Sequence, residues 1–185
     1  MTNNIFIYLT FGSWIILVIY WTIQAKTNAQ TGFVSELSSL VKLTVSAFII
    51  YVPIFGWLVK ELYSVNIWIN ILGIILCGVG VFFMVWARHI LGKNWSGKVM
   101  IQKEHSLIKE GPYSLVRHPQ YFGFLLALLG TALILGQIFG FVWYLFLAFG
   151  LIVKSKQEEK ILANEFPEEY LEYKQKVKMI VPFIL

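Results

Sequence analysis

Between Pro119 and Val153 the chain carries no charged side chain, and no other feature limits its fold as tightly. As one helix rising about 1.5 Å per residue, this stretch would be about 50 Å long, well beyond a hydrocarbon core of about 30 Å. It reads instead as two rather short helices with a turn near Gly136-Gln137-Ile138-Phe139-Gly140. The expectation is a tight helical hairpin whose two ends return to one side of a bilayer. The Gly-x-x-x-Gly spacing at the turn also suits close helix packing, although glycine permits turns in any context.

The bilayer is needed because 58% of the 185 residues are hydrophobic and 17% aromatic, with a mean hydropathy of +0.71. A soluble domain of this length has too little interior to hide so much apolar surface. Three further runs suit spanning helices: Ile5 to Ile23, Leu40 to Leu58 with a kink at Pro53, and Ile67 to Trp86 with Trp68 and Trp86 as interfacial anchors. The first run lacks a basic segment before it, so it reads as a membrane helix rather than a cleaved signal peptide. The fold class expected is therefore an all-α integral membrane protein of about five spans, ending in amphipathic cytoplasmic helices. No Gly/Ser-rich or Pro-rich linker divides it, so residues 1–185 form one domain. Residues 1–87 are its first spans, and 88–185 carry the polar loop, hairpin and tail.

Charge orients the chain. With the loop from Arg88 to His118 and the tail on one side, only Lys60 of the fifteen Lys and Arg residues falls opposite. That asymmetry puts loop and tail in the cytoplasm and the N-terminus outside. The formal charge of +5 is scattered among loops between apolar runs, which argues against nucleic acid as a partner. Cys77, the single cysteine, forms no intrachain disulfide, and His89, His105 and His118 lie too far apart for a metal-ligand spacing, so no metal centre is expected. In the tail, Pro167 suits a helix's first turn, with Glu168 and Glu169 near its positive end and Lys174, Lys176 and Lys178 near its negative end. A separate helix from Glu158 to Glu165 is expected before it, interrupted where Phe166 meets Pro167. The amphipathic tail would lie over the membrane surface and the cytoplasmic loop.

The chemistry-bearing stretch is GPYSLVRHPQYFG, Gly111 to Gly123, at the mouth of the charge-free run. His118 precedes a proline and is biased toward extended backbone, while Pro119 suits the start of the fourth span. Arg117 and His118 would stand beside that helix's unpaired N–H groups, a place for a carboxylate or phosphate. The Gly111-Pro112 turn brings the loop back to it. Read blandly, Arg117 binds lipid phosphates and the Pro-Tyr content anchors an interface. Glu158 and Glu159 follow the fifth span, and a hairpin would return them to the same face. An acidic pair beside a basic helix mouth could hold a zwitterion by both ends; alone, such a pair is a solvated helix turn.

The pattern LGKNWSGKV…HSLIKEGPYSLVRHPQYFG, then the apolar hairpin, then EEKILANEFPEEYLEYKQKV…PF resembles the isoprenylcysteine carboxyl methyltransferase family. Integral-membrane phospholipid methyltransferases share much of it. The likeness runs from about Arg88 to the C-terminus. It implies S-adenosyl-L-methionine as methyl donor, with Arg117, His118, Pro119, Tyr121, Glu158 and Glu159 in the cofactor site, and Gly111, Tyr113 and His105 shaping its wall. Family members place Arg shortly before the Glu pair. Lys154 stands near that position here, with a point charge instead of a planar fork. The catalytic set implied is Lys154, Glu158 and Arg117.

The resemblance also rationalises the boundary position. The donor is zwitterionic and water-soluble, while the acceptor would be lipophilic, a prenylated peptide or a membrane lipid, so the two meet where cytosol and bilayer join. When a carboxylate attacks a sulfonium, opposite charges are neutralised, which a dry, low-dielectric pocket favours. No general base is needed for that acceptor, whereas an amine must lose a proton. The alternatives are a phospholipid N-methyltransferase, a sterol-reductase-like protein using NADPH, and a non-catalytic membrane scaffold. Against the reductase stands the lack of a Gly-x-Gly-x-x-Gly motif.

Overall fold

The computed structural model describes residues 2–27, 66–92 and 107–184. The expected second span, Leu40 to Leu58 with Pro53, lies outside the described residues, as do Lys42, Lys60 and His105. The described residues form five α-helices: α1 (Thr2–Thr27), α2 (Ile67–Leu91), α3 (Pro119–Leu135), α4 (Ile138–Glu165) and α5 (Pro167–Lys176). A short 3₁₀ turn, Gly111–Ser114, precedes α3. By length and apolarity α1, α2 and α4 can each cross a membrane. The 17-residue α3 is shorter, about 25 Å from end to end.

Helix ends follow local chemistry. The Asn66 side chain accepts from the Ile69 N–H at 3.0 Å and caps α2. At the end of α3, Gly136 takes the left-handed conformation (φ 64°) and donates its N–H to the Ala132 carbonyl. The turn therefore occupies Gly136 and Gln137 alone, and Gly140 belongs to α4. Phe166 breaks the chain before Pro167, which opens α5 with Glu168 and Glu169 in the first turn and Lys174 and Lys176 in the last.

One expectation is corrected: no separate helix begins at Glu158, because α4 runs unbroken from Ile138 to Glu165. Residues 154–158, Lys-Ser-Lys-Gln-Glu, contain no Gly or Pro, so the onset of charge marks where apolar surface ends and not where the helix ends. Likewise α2 continues past Trp86 to Leu91, with Arg88 and His89 in its last turn.

The closest pair is α2 with α3, which cross antiparallel through glycines two turns apart on each helix. A Cβ added to Gly123 would stand 2.5 Å from the Gly80 carbonyl oxygen. One added to Gly73 would stand 2.8 Å from the Gly130 carbonyl oxygen. Only bare backbone allows this approach, as small residues commonly do in bilayers. On one flank α1 adds Trp14, whose indole N–H donates to Thr131 Oγ1 at 3.0 Å and whose ring meets Phe124 edge-on. Trp14, Leu17, Cys77, Met84 and Ala127 form the core there. A second cluster joins the tail residues Met179 and Ile180 to Leu125, Leu151 and Ile152, fixing the tail against α3 and α4.

Candidate active site

The site gathers where the start of α3, the charged third of α4, α5 and the tail converge. Residues 116–118 enter α3 as extended chain lying parallel to residues 178–179. Val116 bridges Lys178, the Arg117 N–H donates to the Lys178 carbonyl at 2.8 Å, and the His118 N–H donates to the Met179 carbonyl at 2.9 Å. Pro119 then opens α3 without an N–H to satisfy, and the N–H groups of Tyr121 and Phe122 turn back to the His118 carbonyl.

Arg117 and Glu159 meet directly. Arg117 Nε and Nη2 donate to Glu159 Oε1 at 2.7 and 2.6 Å, with both side chains 7% exposed. Arg117 Nη1 donates to the carbonyls of Val177 and Lys174. Glu159 Oε2 lies 3.3 Å from Lys174 Nζ. The corner expected to stay open for an anion is closed, because opposite charges this near in a poorly solvated spot pair with each other. Burial works to raise the Glu159 carboxyl, but His118 and Arg117 override it and pull it down to about 2.

His118 stands between the two acids, with Nδ1 3.4 Å from Glu158 Oε2 and Nε2 3.6 Å from Glu159 Oε1. Burial alone would push this imidazole down; hydrogen bonding and charge from Glu158 and Glu159 win, so it is held above the ordinary histidine range. Its ring stacks on Tyr121 with 5.4 Å between centroids. The Tyr121 hydroxyl donates to Glu158 Oε1 at 2.6 Å, and Lys154 Nζ lies 5.6 Å from the Tyr121 ring centroid. Glu158 thus differs from its neighbour: its side chain is 28% exposed and it has no Arg or Lys partner among the described residues. Lys154 likewise has no carboxylate partner among them.

The 3₁₀ turn completes the wall. Gly111 (φ 58°) packs against Ile90 and Trp86 of α2, and Pro112 and Tyr113 are buried. The Tyr113 carbonyl accepts from the Tyr173 hydroxyl at 2.5 Å. Burial, then Tyr173, pushes the Tyr113 phenol up.

Of the residues singled out in the sequence, the structure brings together Arg117, His118, Tyr121, Lys154, Glu158 and Glu159. Tyr113 adjoins them, Pro119 supports them from within α3, and Gly111 serves the turn. From the sequence Lys174 had only a helix-end role, and nothing there marked Tyr173 and segment 177–179 as joining the site. The alternation Lys176-Val177-Lys178-Met179 just after a helix was the available signal for extended chain. One buried donor beside this cluster, Gln120 Nε2, has no hydrogen-bond acceptor among the described residues, whereas His118 Nε2 has Glu159 Oε1 facing it at 3.6 Å.

Together these features define an all-α protein with long apolar helices and a compact cluster of carboxylates, cations and aromatic rings where charge resumes. Comparison with known sequences matches residues 71–164, just over half of the chain, to the isoprenylcysteine carboxyl methyltransferase (ICMT) family. The chain belongs to that family. It is 38% identical over 118 residues to a protein-S-isoprenylcysteine O-methyltransferase of Saccharomyces cerevisiae, covering 62% of this chain and 49% of that one. It is 32% identical over 120 residues to the protein of that name from Xenopus laevis (63% and 42%) and 30% identical over 125 residues to the B form of Arabidopsis thaliana (63% and 61%). The chain spans about half the length of the relatives it matches.

Proposed function

We propose that this protein transfers a methyl group from S-adenosyl-L-methionine to the carboxylate of a lipophilic acceptor of the isoprenylcysteine kind, at the cytoplasmic edge of a membrane. In this reading α3 and α4 are a membrane hairpin within a five-span chain, and the apolar part of α4 ends at Val153, just inside the site. The observation that carries the proposal is the unequal pairing of the acids. Glu159 is neutralised by Arg117, while the part-exposed Glu158 has His118 at 3.4 Å but no Arg or Lys, and the Lys154 ammonium has no carboxylate partner among the described residues.

The donor set fits a zwitterionic methyl donor. Glu158, steadied by Tyr121, would take its ammonium. Gln120 Nε2, a buried donor with no acceptor among the described residues, would take its carboxylate. Bound there, the donor supplies a methyl group on a positively charged sulfur. The chain's part is binding, orientation and dielectric. Lys154, one turn before Glu158, attracts and orients an acceptor carboxylate arriving along the exposed apolar face of α4, where Val142, Phe146, Phe149 and Val153 stand. The ammonium is a point charge, so it can hold one carboxylate oxygen and leave the other free to react. No proton has to be removed, and no residue serves as general base.

Calorimetric titration of the detergent-solubilised protein with S-adenosylhomocysteine, the demethylated product, tests this. Saturable binding is expected, weakened at least tenfold in Glu158→Gln. Absence of binding at millimolar ligand would overturn the reading.

A further inference from the structure

Nothing in the chemistry of methyl transfer calls for residues beyond α4, yet the end of α5 and the tail after it hold the site at several points. Their hold has three parts. The Lys178 and Met179 carbonyls accept from the N–H groups of Arg117 and His118. The Lys174 and Val177 carbonyls accept from the Arg117 guanidinium, setting the direction in which its remaining edge faces Glu159. Upstream, the Tyr173 hydroxyl ties α5 to the Tyr113 carbonyl of the 3₁₀ turn.

These are mainly backbone acceptors, so the hold depends on register. Register in turn is set by burial: Met179 and Ile180 lie in the apolar cluster with Leu125, Leu151 and Ile152, whereas Lys178 faces solvent. A slip of one residue toward the N-terminal side of the tail would move Lys178 into that cluster, so burial excludes that misalignment.

We propose that residues 173–180, the end of α5 and the tail after it, are a positioning strap for the active site: by fixing the backbone at Arg117 and His118 and the direction of the Arg117 guanidinium, they keep Glu159 paired and leave Glu158 to the ligand. The strap acts through other residues and touches neither methyl donor nor acceptor. It rests on the proposed methyl-donor site only for its effect on ligand binding, since the strap's own geometry is independent of that reading.

The test inserts one glycine between Lys176 and Val177, with the same insertion between Phe183 and Ile184 as control and Tyr173→Phe as a gentler variant that keeps the fold's apolar contacts. Two quantities are measured on the full chain in detergent: hydrogen exchange in the peptide spanning 114–119, and the Kd for S-adenosylhomocysteine from pH 4 to 7. The wild-type peptide is expected to be protected. Insertion after Lys176 should open it, weaken binding at least tenfold, and make binding fall as pH drops below about 5, since Glu159 without a fixed Arg117 returns toward ordinary carboxylate behaviour. Tyr173→Phe should speed exchange at 114–119 and weaken binding about three- to tenfold without the pH signature, because Arg117 keeps its partners, and the distal insertion should change neither quantity.

Exposed 114–119 amides in the wild type, or unchanged affinity in a variant whose peptide has opened, would overturn the strap. Should the inserted chain fail to fold, Tyr173→Phe decides alone: unchanged exchange at 114–119 together with unchanged affinity refutes it. A wild type that is protected at 114–119 but binds no S-adenosylhomocysteine would instead sink the methyl-donor reading and leave the strap standing.

Discussion

Replacing Gly123 with alanine should destabilise this protein, even though alanine is the better helix former by about 1 kcal/mol. The new methyl carbon would lie 2.5 Å from the Gly80 carbonyl oxygen and 3.0 Å from both the backbone nitrogen and Cγ of Met84. Ordinary contact begins at 3.4 Å, and the nearest obstruction is backbone that cannot rotate away, so α2 and α3 must part by close to an ångström. Overpacking of this kind costs about 1–3 kcal/mol, and a rigid obstruction places it at the upper end, leaving a net loss of about 2 kcal/mol. Cys77 supplies the assay, because it is the chain's single cysteine and is buried between α1, α2 and α3. A thiol-reactive fluorogenic dye reaches it when that interface opens, so labelling of Gly123→Ala should be about 30-fold faster than wild type. Gly150→Ala is the control, since beyond its chain neighbours and its own helix backbone no atom of the described residues lies within 4 Å of its added methyl. It should label no faster than wild type. Labelling of Gly123→Ala at or below the wild-type rate would refute the close-packing argument.

Other perturbations reach the site. Arg117→Met leaves Glu159 buried, and should cost about 3 kcal/mol, the lower end for a broken buried pair because Lys174 and His118 remain. Arg117→Met combined with Glu159→Leu should recover most of that loss in the same dye assay while abolishing S-adenosylhomocysteine binding. Stability should also depend on pH in a stated direction. His118 is raised above its ordinary 6.5, so its contribution is complete below that value and lost as pH rises through the higher folded-state value. Glu159 is lowered to about 2, so its contribution is complete above 4.5 and lost on acidification toward 2. Thermal midpoints across pH 4 to 10 should show the alkaline decline, and His118→Gln should flatten it. Lys154→Gln should raise the KM for a prenylcysteine acceptor at least tenfold while leaving S-adenosylhomocysteine affinity unchanged; an equal loss in both would move Lys154 to the donor side.

Signals written in neighbouring residues were legible in the sequence. Gly136 between two apolar runs and Pro167 after Phe166 each act within one helical turn, and each marks a helix boundary found in the structure. The continuity of α4 was not legible as such, because Lys154 announces the end of apolar surface and says nothing about backbone. The cluster's membership was legible through RHPQY and the Glu pair, but its wiring was not. Arg117 and Glu159 are far apart in sequence and read equally well as two separate ligand contacts; only the closeness of α3 to α4 makes them partners. The tail's pairing with 116–118 is shorter still, a few backbone bonds with no side-chain pattern beyond one alternation.

The account stands most directly on the product of the reaction. Incubated with S-adenosylmethionine carrying a tritiated methyl group and a small S-prenylated cysteine, the purified protein should produce a lipophilic methyl ester that releases tritiated methanol in base, and Glu158→Gln should not. Label that stays bound in base, or no transfer above the Glu158→Gln background, would contradict methylation of a carboxylate at this site.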